Sequence, residues 1–177
     1  MSTNLPQSQP STILDLPAPP ATHSGSVAVE NTLLFPSFTT STAWALGTAI
    51  RERLLEQPTP CLVRITLASG VVAFACATHA GTTPDNEAWV RRKHATVMRW
   101  GCSSWAMGRK FEGDERAFAA KYGLDGWNDY AIHGGAVPVR VQGVEGVQAV
   151  VVVSGLRQEQ DHMVVVVAMR LVIQGLS

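Results

Sequence analysis

The sequence predicts a single α/β domain of the α+β kind, in which strand pairs alternate with amphipathic helices and a long helix closes the chain. Three observations carry this expectation. Cys61–Ala77 and Ala136–Val153 each read as strand, tight turn and strand. Thr40–Glu56 and Pro84–Trp100 place apolar residues at helical spacing between capping residues and a stop. Hydrophobic residues make up 46% of the 177 positions, which suits one buried core.

Met1 to about Gly25 is rich in Ser, Thr, Pro and Gln, and Asp15 is its sole formal charge. So little apolar surface does not offset the entropy of ordering. Residues 1–25 are therefore expected to form a disordered tail and 26–177 the domain. Within the tail, Ile13, Leu14 and Leu16 offer an apolar patch for a protein partner. Asn31–Phe35 reads as a short extended piece ended by Pro36.

The helix over Thr40–Glu56 has Ala43, Leu46, Gly47, Ile50 and Leu54 on one stripe, and Pro58 and Pro60 beyond its end. Gly47 on that stripe predicts the close approach of another element. The first hairpin pairs Cys61–Leu67 with Val71–Ala77 around Ser69-Gly70. Its second run, VVAFACA, is continuously apolar and is expected to be the more buried strand. In the second hairpin, Ala136–Gln142 pairs with Val147–Val153 across Gly143–Gly146. Pro138 marks the first of these strands as an edge, or as starting there.

Between the hairpins lie the central helix and two short helices, one capped by Ser103 and one by Asp114 and ended by Gly123. Trp100, Trp105 and Trp127 fall in this region and suit core or subunit packing. After Gly155 the run QEQDHMVVVVAMRLVIQG reads as a helix capped at Gly175 after Gln174, with apolar residues almost all round. Much of such a helix must be buried, which predicts a homo-oligomer in which it, or the faces around it, packs on a neighbour.

The formal net charge is zero, so nothing chain-wide points to nucleic acid or an anionic membrane. No apolar run approaches the roughly 20 residues of a membrane span. Cys61, Cys76 and Cys102 show neither zinc spacing nor a disulfide framework, which suits reduced thiols in a cytoplasmic protein.

The central helix carries the most unusual placement of charge. Thr83 can cap it, Pro84 suits its first turn, Asp85 favours its positive end, and Gly101 stops it. Lys93 lies one turn after Trp89 and one turn before Val97, on the apolar side. An ammonium there either snorkels to water or needs a partner or ligand.

Four blocks in order, GTTPDNEAWVRRK, the serine pair, HGGAVPV and VVVSGLRQEQDH, resemble the haem-degrading HbpS/GlcG-like family, especially its cytosolic uncharacterised branch. The resemblance covers Phe35 to the C-terminus. It implies a profilin-like domain, an antiparallel sheet with helices packed on it, and a C-terminal helix opened by Asp161-His162. It also implies assembly as a dimer or a ring of dimers, with haem as a candidate cofactor. Carried over block by block, the candidate ligand-binding residues are Asp85, Asn86, Trp89, Arg92 and Lys93, then Ser103, then His133, Gly134 and Gly135, then Ser154, Gly155, Asp161 and His162. Arg157 departs from the pattern, since a Pro is common after SGL.

These residues suggest definite chemistry. The Ser154-Gly155 turn into a helix offers backbone N–H groups to an anionic ligand, with Arg92 or Lys93 adding charge. The alternative is that Ser154 caps and Gly155 permits the turn. His133 before two glycines can bind iron or carry a proton, or can simply bond a carbonyl. Asp161 is expected to pair with an Arg or Lys of the central helix. No GxSxG elbow, HExxH or phosphate-loop motif occurs, and no catalytic set is assigned. Two functions follow. One is a haem- or small-anion-binding protein. The other is a non-enzymatic, homo-oligomeric cytosolic adaptor, for example in protein targeting to the ER membrane.

Overall fold

The computed structural model describes residues 14–125 and 129–176, so Trp127 and residues 1–13 lie outside the described residues. In order, the elements are α1 (His23–Glu30), β1 (Leu34–Phe35), α2 (Thr40–Leu55), β2 (Leu62–Leu67), β3 (Val72–Ala77), α3 (Pro84–Trp100), α4 (Ser104–Lys110), α5 (Glu115–Tyr122), β4 (Ala136–Val141), β5 (Ala149–Ser154) and α6 (Gln158–Leu176). The strands form one sheet in the order β1-β4-β5-β2-β3. It is antiparallel except for the short parallel pair of β1 with β4.

Both faces of the sheet are covered, and β5 shows why its sequence is an unbroken apolar run. Val151 and Val153 join Leu46, Ile50 and Leu54 of α2 and Val164 and Val165 of α6 in the main core. Val150 and Val152 face the other way, onto Val90 and Val97 of α3. A third cluster, around Met107, Phe118 and Ile132, ties α4 to α5.

Helix caps set the boundaries. Thr39 and Thr42 form a reciprocal capping box on α2. The Asn86 side chain accepts from the Thr83 N–H at the start of α3, and Gly101 ends that helix in the left-handed conformation. Gly47 is required where α2 meets the sheet, because a Cβ there would collide with the Phe74 ring.

Four expectations need correction. First, residues 14–25 belong to the folded unit. Leu14 is buried in the main core, Arg53 donates to the Asp15 carbonyl, and the Trp105 indole donates to the Pro20 carbonyl at 2.9 Å. Thr22 then caps α1, a helix that low-propensity Ser, Gly and Val residues concealed. A free recruiting tail can extend only over residues before Leu14.

Second, β3 is the exposed edge strand, with Val72 half exposed, while β2 and β5 are central. Its apolar run consists largely of small residues, with Ala75 and Ala77 open to solvent. Third, the first half of α6, residues 161–166 with Ala168 and Met169, is buried within the chain by α2, β4, β5 and α4, so its burial there needs no neighbour. Leu171 and Leu176 in its last turns stay exposed, as do Trp44 and Val71 elsewhere. Fourth, α6 runs through Gly175 rather than ending before it.

Pro138 fits its place. It pairs with Val150 of β5, while β1 pairs only with Arg140 and Val141, so its other edge carries no ladder.

Candidate functional site

The start of α3, the loop before β4 and the turn from β5 into α6 enclose a recess of about 260 Å³. Asp85, Asn86, Trp89, Lys93, His133, Ser154, Gly155 and Asp161 line it, joined by Leu156 and Gln158. Eight sequence-predicted residues thus meet in one place. Arg92, Ser103, Gly134, Gly135 and His162 do not line it.

The floor is an ion pair. Lys93 and Asp161 are each 3% exposed, and Lys93 Nζ donates to Asp161 Oδ2 at 3.0 Å and to the Val153 carbonyl at 3.1 Å. Asp161 also accepts from the Leu156 N–H at 3.0 Å and from the Gly155 N–H at 3.4 Å. Burial drives the Asp161 carboxyl upward, opposed by Lys93 and these two N–H groups.

This arrangement corrects the expected anion cradle. Two backbone donors of the β5–α6 turn, the Gly155 and Leu156 N–H groups, are taken by the protein's own carboxylate, which also pairs with Lys93. Lys93 does not snorkel; it is buried and paired with Asp161.

The two glycines after His133 serve this floor rather than ligand access. Gly135 has φ +126°, and a Cβ there would collide with the Val153 carbonyl and lie 2.8 Å from Lys93 Nζ. A Cβ on Gly134 would collide with the Gln158 carbonyl. The Gly134 N–H donates to Gln158 Oε1 at 3.2 Å, leaving the Gln158 amide NH₂ for the recess.

At the mouth, the His133 side chain is 41% exposed and packs edge-to-face with Trp89, centroids 4.9 Å apart. Its Nδ1 lies 3.3 Å from Glu115 Oε1. Burial lowers the His133 pKa, against the opposing pull of Glu115, so the ring is neutral at neutral pH. Asp85 accepts from the Trp89 indole N–H at 3.2 Å, which fixes that wall. Arg92 stands behind it, its guanidinium 4.6 Å from the Trp89 ring and its Nε bonded to the Tyr130 carbonyl.

The remaining expected residues are structural. Ser103 caps α4 through its bond from the Ala106 N–H, and Ser104 accepts from the Ala136 N–H at the start of β4. The Ser103 N–H is held by Glu30, a buried carboxylate that sequence reading did not single out. His162 is buried and stacks on Trp105, and desolvation pushes its pKa down to about 3.

Glu115, Leu156 and Gln158 were missed as contributors. Gln158 and Leu156 lie inside the block VVVSGLRQEQDH but carry no distinctive chemical signal, and Glu115 reads only as the first-turn acid of a short helix.

Among the described residues no helix is long and apolar enough to cross a membrane. Comparison with known proteins agrees with the fold and the family resemblance. A UPF0303 protein of Streptomyces avermitilis is 40% identical over 152 residues, 86% of this chain and 91% of the relative. A UPF0303 protein of Rhizobium etli is 42% identical over 144 residues, covering 81% and 85%. The crystal structure of Ybr137w superposes with a TM-score of 0.80 at 31% identity, covering 88% of this chain and 90% of that one. A PduOC–heme complex shares the fold at a TM-score of 0.62 and 16% identity, covering 76% and 94%. The family model described as haem degrading protein HbpS-like matches residues 38–170, and the chain belongs to that family.

Proposed function

We propose that this chain binds haem at the mouth of the recess, with His133 as the residue that would hold the iron. The supporting observation is the placement of His133: a neutral, partly exposed imidazole beside an aromatic wall. Imidazole is a common haem ligand, and it must be neutral to donate its lone pair. Family membership supports the reading, as does a fold neighbour solved with haem.

The residues fit an open site. At about 260 Å³ the recess is below the usual range of ligand-enclosing pockets, roughly 300 Å³ upward, so it would not enclose a macrocycle. Bound haem supplies redox-active iron. The protein's part would be to offer the His133 imidazole nitrogen to the iron, with Trp89 as an apolar wall beside it and the Lys93–Asp161 pair as a fixed floor. Self-association belongs to the same reading, and native mass spectrometry of the full chain measures it.

Hemin titration tests the binding. A shifted Soret band is expected on adding hemin, with His133→Ala weakening affinity at least tenfold. Unchanged affinity and an unchanged spectrum in that variant would remove His133 as the ligand. A smaller molecule retained from expression would instead point to an occupant of the recess itself.

A further inference from the structure

The four side chains around the mouth form a closed ring drawn from three parts of the chain. Glu115, the first residue of α5, lies 3.3 Å from His133 Nδ1 and 4.0 Å from Arg92 Nη2. Arg92 covers Trp89, and Trp89 meets His133. His133 Nδ1 is shut off from solvent although the side chain is 41% exposed, so the exposure lies on the rest of the side chain. The Nδ1–Glu115 contact is not a straight hydrogen bond, and it acts through charge.

A neutral imidazole carries one N–H and one lone pair, and the partner of one nitrogen decides where the proton sits. Even without a straight alignment, a nitrogen lone pair 3.3 Å from a carboxylate oxygen is repelled, whereas an N–H there is attracted. We propose that Glu115 is a positioning residue that holds His133 as its Nδ1–H tautomer, so that Nε2 presents a lone pair to the recess. Arg92 keeps the Glu115 carboxylate near the ring. This inference rests on the haem reading for its purpose, because a carboxylate behind a ligating imidazole raises its basicity. Its geometry stands without haem.

The first test therefore uses the full chain without haem. Long-range ¹H–¹⁵N correlation spectra at pH 8 report the tautomer of each histidine. The Nδ1–H form is expected for His133 in the wild type. In Glu115→Ala the Nε2–H form should predominate, and Glu115→Gln, which keeps the shape and removes the charge, should fall between. A predominant Nε2–H form in the wild type, or Nδ1–H unchanged in Glu115→Ala, would overturn the proposal.

Hemin then separates the two ideas. Glu115→Ala should weaken hemin roughly tenfold, at the low end of such effects. If the tautomer responds to Glu115 but hemin affinity ignores His133→Ala, the haem reading fails and the positioning role stands.

Discussion

Acidification should destabilise this protein through His162, by an amount that can be worked from its surroundings. The ring is 1% exposed, stacks on Trp105 at 5.8 Å, and has no hydrogen-bond partner for Nδ1. Desolvation, with a smaller contribution from the Lys93 charge, sets its folded pKa at about 3, against an ordinary value of 6.5. A depressed pKa means that the unfolded chain takes up a proton in this window and the folded chain does not. Stability is complete above about pH 6.5 and falls as pH drops toward 3. At about 1.4 kcal/mol per unit, the loss at pH 5 is roughly 2 kcal/mol. That is a large part of a typical domain stability of roughly 5–15 kcal/mol. Urea unfolding followed by tryptophan fluorescence at pH 7, 6 and 5 measures it. The fall between pH 7 and 5 should shrink by roughly 2 kcal/mol in His162→Phe and in His162→Leu. His94, His133, Glu30 and Asp161 titrate in all three proteins and largely cancel in the comparison. Equal falls in wild type and both variants would refute the assignment, as would an NMR pKa for His162 near 6.5.

Gly135→Ala should cost more than about 2 kcal/mol, because a left-handed backbone and a collision with the Val153 carbonyl act together; thermal unfolding checks it. Lys93→Met alone should cost roughly 3–5 kcal/mol by stranding Asp161, and adding Asp161→Asn should recover part of that loss. A strictly additive double-mutant cycle would show that the pair is not coupled. Gly47→Ala should destabilise by about 1–3 kcal/mol through the Phe74 ring, with Phe74→Leu restoring part of the loss, as urea midpoints will show.

Much of the fold is written in local patterns. Alternation, turn residues and caps locate β2, β4, β5, α2, α3, α4, α5 and α6 within a residue or two, because each uses strong local chemistry. Where local chemistry is weak, position in the fold decides. HSGSVAVE becomes a helix because Thr22 caps it and α4 packs on it, neither of which its propensity announces. The run VVAFACA looks more interior than LVRITL, yet the sheet order leaves it outermost.

The recess was legible in part because its blocks are compact: Lys93, His133 and Ser154 come together although distant in sequence. The electrical state of the site was harder to read. That Asp161 claims the turn's N–H groups depends on α6 entering at one particular angle. The inward direction of His162 and the reach of Glu115 across to His133 likewise follow from tertiary placement.

The cancelled charges beneath the recess bear on how its occupant would respond to ionic strength. Attachment that relies on an unpaired cation weakens as added electrolyte shields it. Here the ammonium already has its own counter-ion within the protein, 3.0 Å away. Hemin affinity should therefore differ little between dilute buffer and half-molar sodium chloride. Selection would rest on coordination and contour instead of attraction over distance.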